Sequence, residues 1–515
     1  MFAAVSSATI QGVDALEVRV EAFTSGGLPT FTIVGLPGAA VQESRERVRA
    51  NLKLLGYPLP PSRILVNLAP ADVRKEGPAL DLPIALALLA SDQRVPLTAL
   101  DGLVAFGELA LDGSLRPARG GVAIASMASL KARSSGAPAR VLAPMANAVE
   151  AALVPGVTVF APADLAAAVA HLTGRAPLRP VAPDPASASP PAAPLHDLAG
   201  VRAQALARRA LEVAAAGRHN LLLTGPPGAG KSMLARCLPG ILPPLTDAEA
   251  IEVTRVHSSA GRLPNGLMRA PPFRQPHHSG SEAGIVGGGA VARPGEASLA
   301  HLGVLFLDEL PEFSRSVLEA LRQPLEEGVI TISRASGSVR LPAAFQLVAT
   351  RNPCPCGYHG ADGGTDAGVE GGADSGVQPC TCHPAAVARY QHRVSGPLLD
   401  RMDLLIDVAR LTDAELVSAP PGEASGAVAV RVASARGQAV ARQGVANAQL
   451  AGRALATHTA LSPAGQAVLA KLVRSLRPSA RAYDRLLRVA RTIADLAGEG
   501  TVLPEHLLEA AAYRG

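Results

Sequence analysis

The chain has 515 residues, 48% of them apolar, and 48 Lys and Arg against 43 Asp and Glu give a net charge of +5. This length allows two or three domains, and the apolar content excludes a wholly disordered chain. No apolar run reaches the roughly 18 residues of a membrane span, and the first ten residues lack the basic segment of a secretory signal, so no membrane partner and a cytoplasmic location are expected. The diffuse positive charge is compatible with nucleic acid, but Trp is absent and aromatics are 3%, so base-stacking platforms are scarce. Five cysteines in such a chain do not make a disulfide framework.

In residues 1–172, strand-like runs at 15–24, 31–34 and 63–68 alternate with helix-like runs at 41–55 and 80–91. Residues 104–112 and 114–117 read as a hairpin around Gly113, and 140–143 and 157–160 as further short strands. The mixture predicts an independent α+β domain. Residues 173–196 carry seven prolines among Ala and Ser, a composition that cannot bury a core and predicts a semi-extended linker. A second domain starts near 196–200, and its first helix, 202–216, ends at Gly217.

A short apolar run at 219–224 leads into Gly225-Pro226-Pro227-Gly228-Ala229-Gly230-Lys231-Ser232, and a helix-compatible run at 232–238 comes after it. Strand, G-x-x-x-x-G-K-[ST] loop and helix form the context of a phosphate-binding loop, and this context disfavours a chance glycine turn. The glycines let backbone N–H groups approach phosphate oxygens. Lys231 is expected to reach the β- and γ-phosphates of ATP, and the Ser232 hydroxyl to ligate Mg²⁺. Residues 304–307 predict a buried strand ending in Asp308-Glu309. Asp308 is expected to hold Mg²⁺ through water and Glu309 to act as general base on the attacking water. Another buried strand, 345–350, ends at Arg351-Asn352.

Between these motifs, residues 245–293 are rich in Gly, Pro and His and longer than a simple connection. His277 and His278 lie there, and such a pair is more often structural than a metal site. Residues 327–341 predict a β-hairpin turning at Ala335-Ser336-Gly337, with Arg334 and Arg340 beside the turn. Charges so placed could track a phosphate backbone without reading sequence. Cys354-Pro355-Cys356-Gly357 and Cys380-Thr381-Cys382 flank 360–376, which has almost no apolar content. Two thiolate pairs could close a tetrahedral Zn²⁺ site, with His359 and His383 as alternative ligands. The C-x-C spacing is not the usual one, and free thiols are the competing reading. Cys237 is most simply a core residue. From about residue 453 the chain reads as all-helical, and 480–496 is one amphipathic helix with Arg481, Arg485 and Arg488 at helical spacing.

Two resemblances extend this. Lys75-Glu76-Gly77-Pro78-Ala79-Leu80-Asp81-Leu82-Pro83, with Gly107-Glu108-Leu109 and Gly120-Gly121, resembles the proteolytic domain of Lon-type proteases, a ribosomal protein S5 domain 2-like fold. That family has Ser at the place of Ala79 and Lys at the place of Ala123. Without either, the hydroxyl nucleophile and its base are missing, so an assembly or substrate-contact role is expected. Further along come Phe273-Arg274-Gln275-Pro276-His277-His278-Ser279, Gly287-Gly288-Gly289, residues 293–301 (Arg-Pro-Gly-Glu-Ala-Ser-Leu-Ala-His) and residues 306–313 (Phe-Leu-Asp-Glu-Leu-Pro-Glu-Phe). With the first block and the Ser-Gly-Pro-Leu-Leu-Asp-Arg-Met-Asp of 395–403, they resemble the magnesium-chelatase-like AAA+ proteins of bacteria, the YifB/ComM family.

The resemblance implies an α/β fold: a Lon-like domain at 1–172, a linker at 173–196, a P-loop ATPase core at 197–410 with a cysteine-paired insert at 354–382, and a helical lid or C-terminal chelatase-like domain at 411–515. It assigns Asn352 as sensor 1, Arg401 as an arginine finger for a neighbouring subunit and Arg481 as sensor 2. Local pairing of Arg401 with Asp400 or Asp403 is the alternative, and Arg485 and Arg488 are expected on a solvated face. The family also has paired cysteines at the Zn²⁺ candidate. It implies a homohexameric ATPase, and its competence-associated members are DNA helicases that promote branch migration in natural transformation. Single-stranded or branched DNA and recombination proteins thus become expected partners. A chelatase-type motor acting on a protein partner is the alternative function, and a protease is disfavoured by Ala79 and Ala123.

Overall fold

The computed structural model describes residues 1–182, 196–262, 266–289, 292–334, 337–360 and 379–514. Most of the proline-rich linker, Ala335-Ser336 of the hairpin turn and nearly all of 360–376 lie outside the described residues.

A seven-stranded sheet organises the N-terminal block. Its two longest strands, Phe2–Gln11 and Asp14–Ser25, form an antiparallel hairpin in register from Phe2 opposite Phe23 to Gln11 opposite Asp14. The first of these was not expected, because its small residues (Ala3, Ala4, Ser6, Ser7, Ala8) give little hydrophobic signal. The strand is nonetheless central: it lies between Asp14–Ser25 and the parallel strand Leu103–Ala105. The single hairpin expected at 104–117 is split: Leu103–Ala105 joins the large sheet, and Glu108–Leu109 pairs separately with Leu115–Arg116. Helix Asp81–Ser91 is buried at every residue, so it has no polar face to give it helical periodicity in the sequence.

The second sheet is parallel throughout, in the order Phe273–Arg274, Val304–Leu307, Gln346–Arg351, Leu221–Thr224, Leu404–Asp407. Val304–Leu307 and Leu221–Leu223 are fully buried, which explains their unbroken apolar composition. Parallel strands put all their carboxyl ends on one edge, where open α/β sheets bind ligands. Gly225, Asp308 and Asn352 follow three of these strands directly. The N-terminal block has its own core but is docked on this unit. Gly12, at φ +66°, lets the tip of the first hairpin approach Val339 so closely that an added Cβ would lie 2.6 Å from its Cγ1. Asp14 pairs with Arg255 at 2.9 Å, and the Gly120 N–H donates to the Ser258 carbonyl.

Beyond residue 411 the structure is helical, with Ser425–Gln443, Pro463–Leu476, Ala480–Leu496 and Pro504–Ala512 as its longest elements. Helix Ala480–Leu496 begins at Ser479, whose side chain accepts the Ala482 N–H. Its apolar stripe faces the core as expected, but Arg485 and Arg488 do not lie on a solvated face. Arg485 is 5% exposed and donates to the Met402 carbonyl, and Arg488 Nε donates to the Leu450 carbonyl at 2.7 Å. Both are turned inward to satisfy backbone acceptors at the ends of neighbouring segments. Lower on the same helix, Arg491 is buried and rests on Asp495 at 2.9 Å, which also accepts from Arg442 and Asn447. Asp495→Ala leaves Arg491 buried beside uncharged acceptors only, so a loss of about 3 kcal/mol is expected. Urea unfolding followed by circular dichroism checks this, with Asp495→Asn recovering part of the loss through Asn447. No described helix is long and apolar enough to cross a membrane.

Candidate active site

The glycine-rich loop joins strand Leu221–Thr224 to helix Lys231–Cys237. Two of its glycines, Gly228 and Gly230, sit at φ +78° and +88°, the left-handed region that favours glycine. Gly225 is needed for space, since a Cβ there would lie 2.2 Å from the Val408 carbonyl oxygen. Lys231 curls back, and its ammonium donates to the carbonyls of Gly225 and Pro226 at 2.7 and 2.8 Å and to Asn352 Oδ1 at 3.1 Å. Burial lowers its pKa, while Asp308 and Glu309 oppose that shift. The sequence-predicted residues on the two neighbouring strand ends are thus gathered at one place.

Ser232 Oγ donates to Asp308, with 2.9 and 3.0 Å to the two carboxylate oxygens. A hydroxyl and a carboxylate meeting this closely are hard oxygen donors of the kind Mg²⁺ prefers. Thr350, which the sequence reading passed over, organises the acidic pair. Its hydroxyl donates to Asp308 Oδ1 at 2.6 Å and accepts the Glu309 N–H at 3.0 Å. Glu309 itself stands at φ +56°, an uncommon backbone for a non-glycine residue and one that clusters at functional sites. A cavity of about 620 Å³ adjoins the loop. Pro227 to Gly230 and Met233 line it together with Gly200, Val201, Gln204, Tyr358 and Arg410. Tyr358 and Arg410 also escaped the sequence reading, as neither belongs to a motif.

Arg401 and Arg481 are elsewhere. The Arg401 carbonyl accepts from Asn220, which precedes the loop-feeding strand, so Arg401 lies at the amino ends of the sheet. At 3.3 Å per residue, Asn220 and Gly225 are about 16 Å apart along the strand. The Arg401 guanidinium is bound by Glu326 and by the Pro397 carbonyl, and pairs with neither Asp400 nor Asp403. Arg481 reaches the same Glu326 carboxylate at 3.1 Å. Both arginines line a second cleft of about 580 Å³. The structure therefore separates these two residues from the loop of their own chain and places them with each other.

The four paired cysteines converge, with every Sγ within 4.8 Å of the others, and they are the one His/Cys/Asp/Glu cluster of metal-binding shape among the described residues. His359 contributes its backbone N–H to Cys354 Sγ, and the His383 ring accepts from Ala385 at a helix start. His277 and His278 stack on each other at 4.2 Å, and His277 bonds to Ser279. Cys237 is fully buried, and burial pushes its thiol up to about 11.

A parallel α/β sheet with a phosphate-loop sequence and an acid-tipped strand places the protein in the broad class of phosphate-loop α/β proteins. Family comparison agrees along the chain. The model for magnesium chelatase, subunit ChlI, matches residues 197–416, that for subunit ChlI of Mg-chelatase matches 20–147, and that for the ChlI C-terminal region matches 422–514. Competence protein ComM of Haemophilus influenzae is 42% identical, over 99% of this chain and 97% of its own length. YifB of Salmonella typhimurium is 41% identical over 98% of this chain and 95% of its own length. A Mycobacterium tuberculosis relative, Rv2897c, is 43% identical over 99% of this chain. The chain belongs to the magnesium-chelatase-like YifB/ComM family, a membership that implies nucleotide and Mg²⁺ use.

Proposed function

We propose that this protein is an ATP-driven motor that moves DNA, acting on single-stranded or branched substrates during recombination of incoming DNA. The observation that carries the ATPase half is the convergence of Lys231, Ser232, Asp308, Glu309 and Asn352 at one sheet edge. In this reading the loop amides and Lys231 hold the β- and γ-phosphates, Glu309 takes the proton of the attacking water, and Asn352 orients the terminal phosphate. Bound Mg²⁺, held through Ser232 and Asp308, would neutralise charge on the β- and γ-phosphate oxygens. Arg401 and Arg481, remote from their own loop, act on the site of a neighbouring copy. That requires a ring or filament of head-to-tail subunits, and the family resemblance makes it a homohexamer.

The DNA half rests on the relative described as a competence protein and on the hairpin Val329–Arg334 with Gly337–Pro342, which carries Arg340. In this reading the helices beyond 411 form the lid, and the N-terminal block is a Lon-like module serving assembly or substrate contact. Ala79 and Ala123 give that block neither nucleophile nor base. The three chelatase-named matches favour a second reading, a motor that remodels a protein partner.

Strand displacement and branch migration on forked and four-way DNA decide between them. The intact protein is expected to move strands with ATP, and Glu309→Gln to move none. ATP hydrolysis without DNA binding at low salt overturns the helicase reading and leaves remodelling in its place.

A further inference from the structure

We propose that Cys354, Cys356, Cys380 and Cys382 bind one zinc ion, and that the loop so tied fixes Tyr358 as a wall of the nucleotide pocket, so that metal loading sets nucleotide affinity. This rests on reading the cavity beside the glycine-rich loop as the adenosine end of an ATP site.

Cys354 and Cys356 Sγ are 3.3 Å apart, Cys354 and Cys380 are 3.7 Å apart, and Cys356 and Cys380 are 3.6 Å apart. These separations exceed the roughly 2.05 Å of a disulfide. They approach the edge of a tetrahedron with Zn–S near 2.3 Å, which is about 3.8 Å. Backbone donors complete the surroundings. The N–H groups of Gly357 and His359 point at Cys354 Sγ at 3.2 and 3.3 Å, and that of Cys356 points at Cys382 Sγ at 3.4 Å. Amides aimed at sulfur stabilise thiolates and orient them, as the outer contacts of metal-bound cysteines do.

The position of the cluster gives it a consequence. Cys354 lies two residues beyond Asn352, the partner of the Lys231 ammonium. Gly357 stands at φ +92° and presses on the phosphate loop, where an added Cβ would lie 2.4 Å from Pro227 Cδ. The next residue, Tyr358, lines the same cavity as Gly228 to Gly230. The two cysteine pairs lie 24 to 28 residues apart in sequence, so one shared ion would cross-link the two segments. One bound ion thereby fixes the turn that carries Tyr358 against the loop. An aromatic face at this place suits a purine base, which stacks on such side chains.

The test uses the full-length protein. An organomercurial releases thiol-bound metal into a chromogenic chelator, and about one zinc per chain is expected. Titration with a methylanthraniloyl-labelled ADP and Mg²⁺ then follows. Metal removal is expected to raise Kd about tenfold, with restoration by thiol and zinc, in line with the loss of one stacking contact. Tyr358→Ala is expected to keep its zinc, to bind about tenfold more weakly, and to weaken no further on metal removal. Circular dichroism before and after demetallation establishes that the fold persists, so no cysteine variant is required. Iron in place of zinc, or no metal, overturns the site. Wild-type affinity in Tyr358→Ala, or an undiminished metal effect in that variant, overturns the coupling. If the zinc-loaded wild type binds no labelled nucleotide, the ATP reading falls and the coupling with it, while the zinc count still reports on the metal site.

Discussion

Glu309→Gln is expected to lower ATP turnover by about 10³-fold while nucleotide affinity stays within about twofold, since general-base catalysis contributes 10²–10⁴ in rate. The substitution keeps the shape of the side chain and removes the acceptor for the water proton. It leaves intact the backbone bond from Glu309 N–H to Thr350, and with it the left-handed turn that presents the side chain. Asp308 keeps its bonds from Ser232 and Thr350, so the oxygens proposed to hold the cation stay in place. Phosphate release and labelled-nucleotide titration on the same preparation separate the two quantities. Lys231→Ala is expected to have a different signature, losing affinity as well as turnover, because in the proposed mechanism its ammonium holds the β- and γ-phosphates. A Glu309→Gln enzyme within tenfold of the wild-type rate would assign the base elsewhere.

Whereas Asn352 was singled out by the family resemblance, the phosphate loop and the acidic pair were legible because backbone approach to phosphate dictates glycine, and buried parallel strands dictate short apolar runs. Each is a local requirement written in consecutive residues. Thr350 was not legible: a threonine at a strand end is ordinary, and its role exists because Val304–Leu307 lies beside Gln346–Arg351. Tyr358 and Arg410 reach one cavity from segments about 50 residues apart, which no single window displays. Helix periodicity correctly marked Ala480–Leu496, but not that Arg485 and Arg488 would turn to buried carbonyls. Charge alone does not distinguish a solvated arginine from one whose donors are needed inside. Strand Leu404–Asp407 was missed because it follows immediately on the segment read for its arginine.

Arg401→Ala is expected to lower turnover by about 10³-fold with nucleotide binding retained, the lower end of the range for an arginine finger. The distinctive outcome comes from mixing. Arg401 and the glycine-rich loop occupy opposite ends of the same sheet, so each hydrolytic centre would draw its loop from one chain and its Arg401 from the next. Arg401→Ala and Lys231→Ala chains are then inactive alone but complementary. Random equimolar mixing in a head-to-tail ring pairs an intact loop with an intact Arg401 at one interface in four, so about a quarter of the wild-type rate is expected if sites fire independently. Recovery of no activity would place the Arg401 requirement within its own chain. The resting contacts fit a trans role. Glu326 holds both Arg401 and Arg481, and the Arg401 Nε is buried without a hydrogen-bond partner among the described residues. In the proposed ring, a neighbour's terminal phosphate would be the anion that competes with Glu326 for the two guanidinium groups. Glu326→Gln weakens that hold without touching either arginine, so it is expected to preserve complementation and to distinguish loss of the arginine from loss of its positioning.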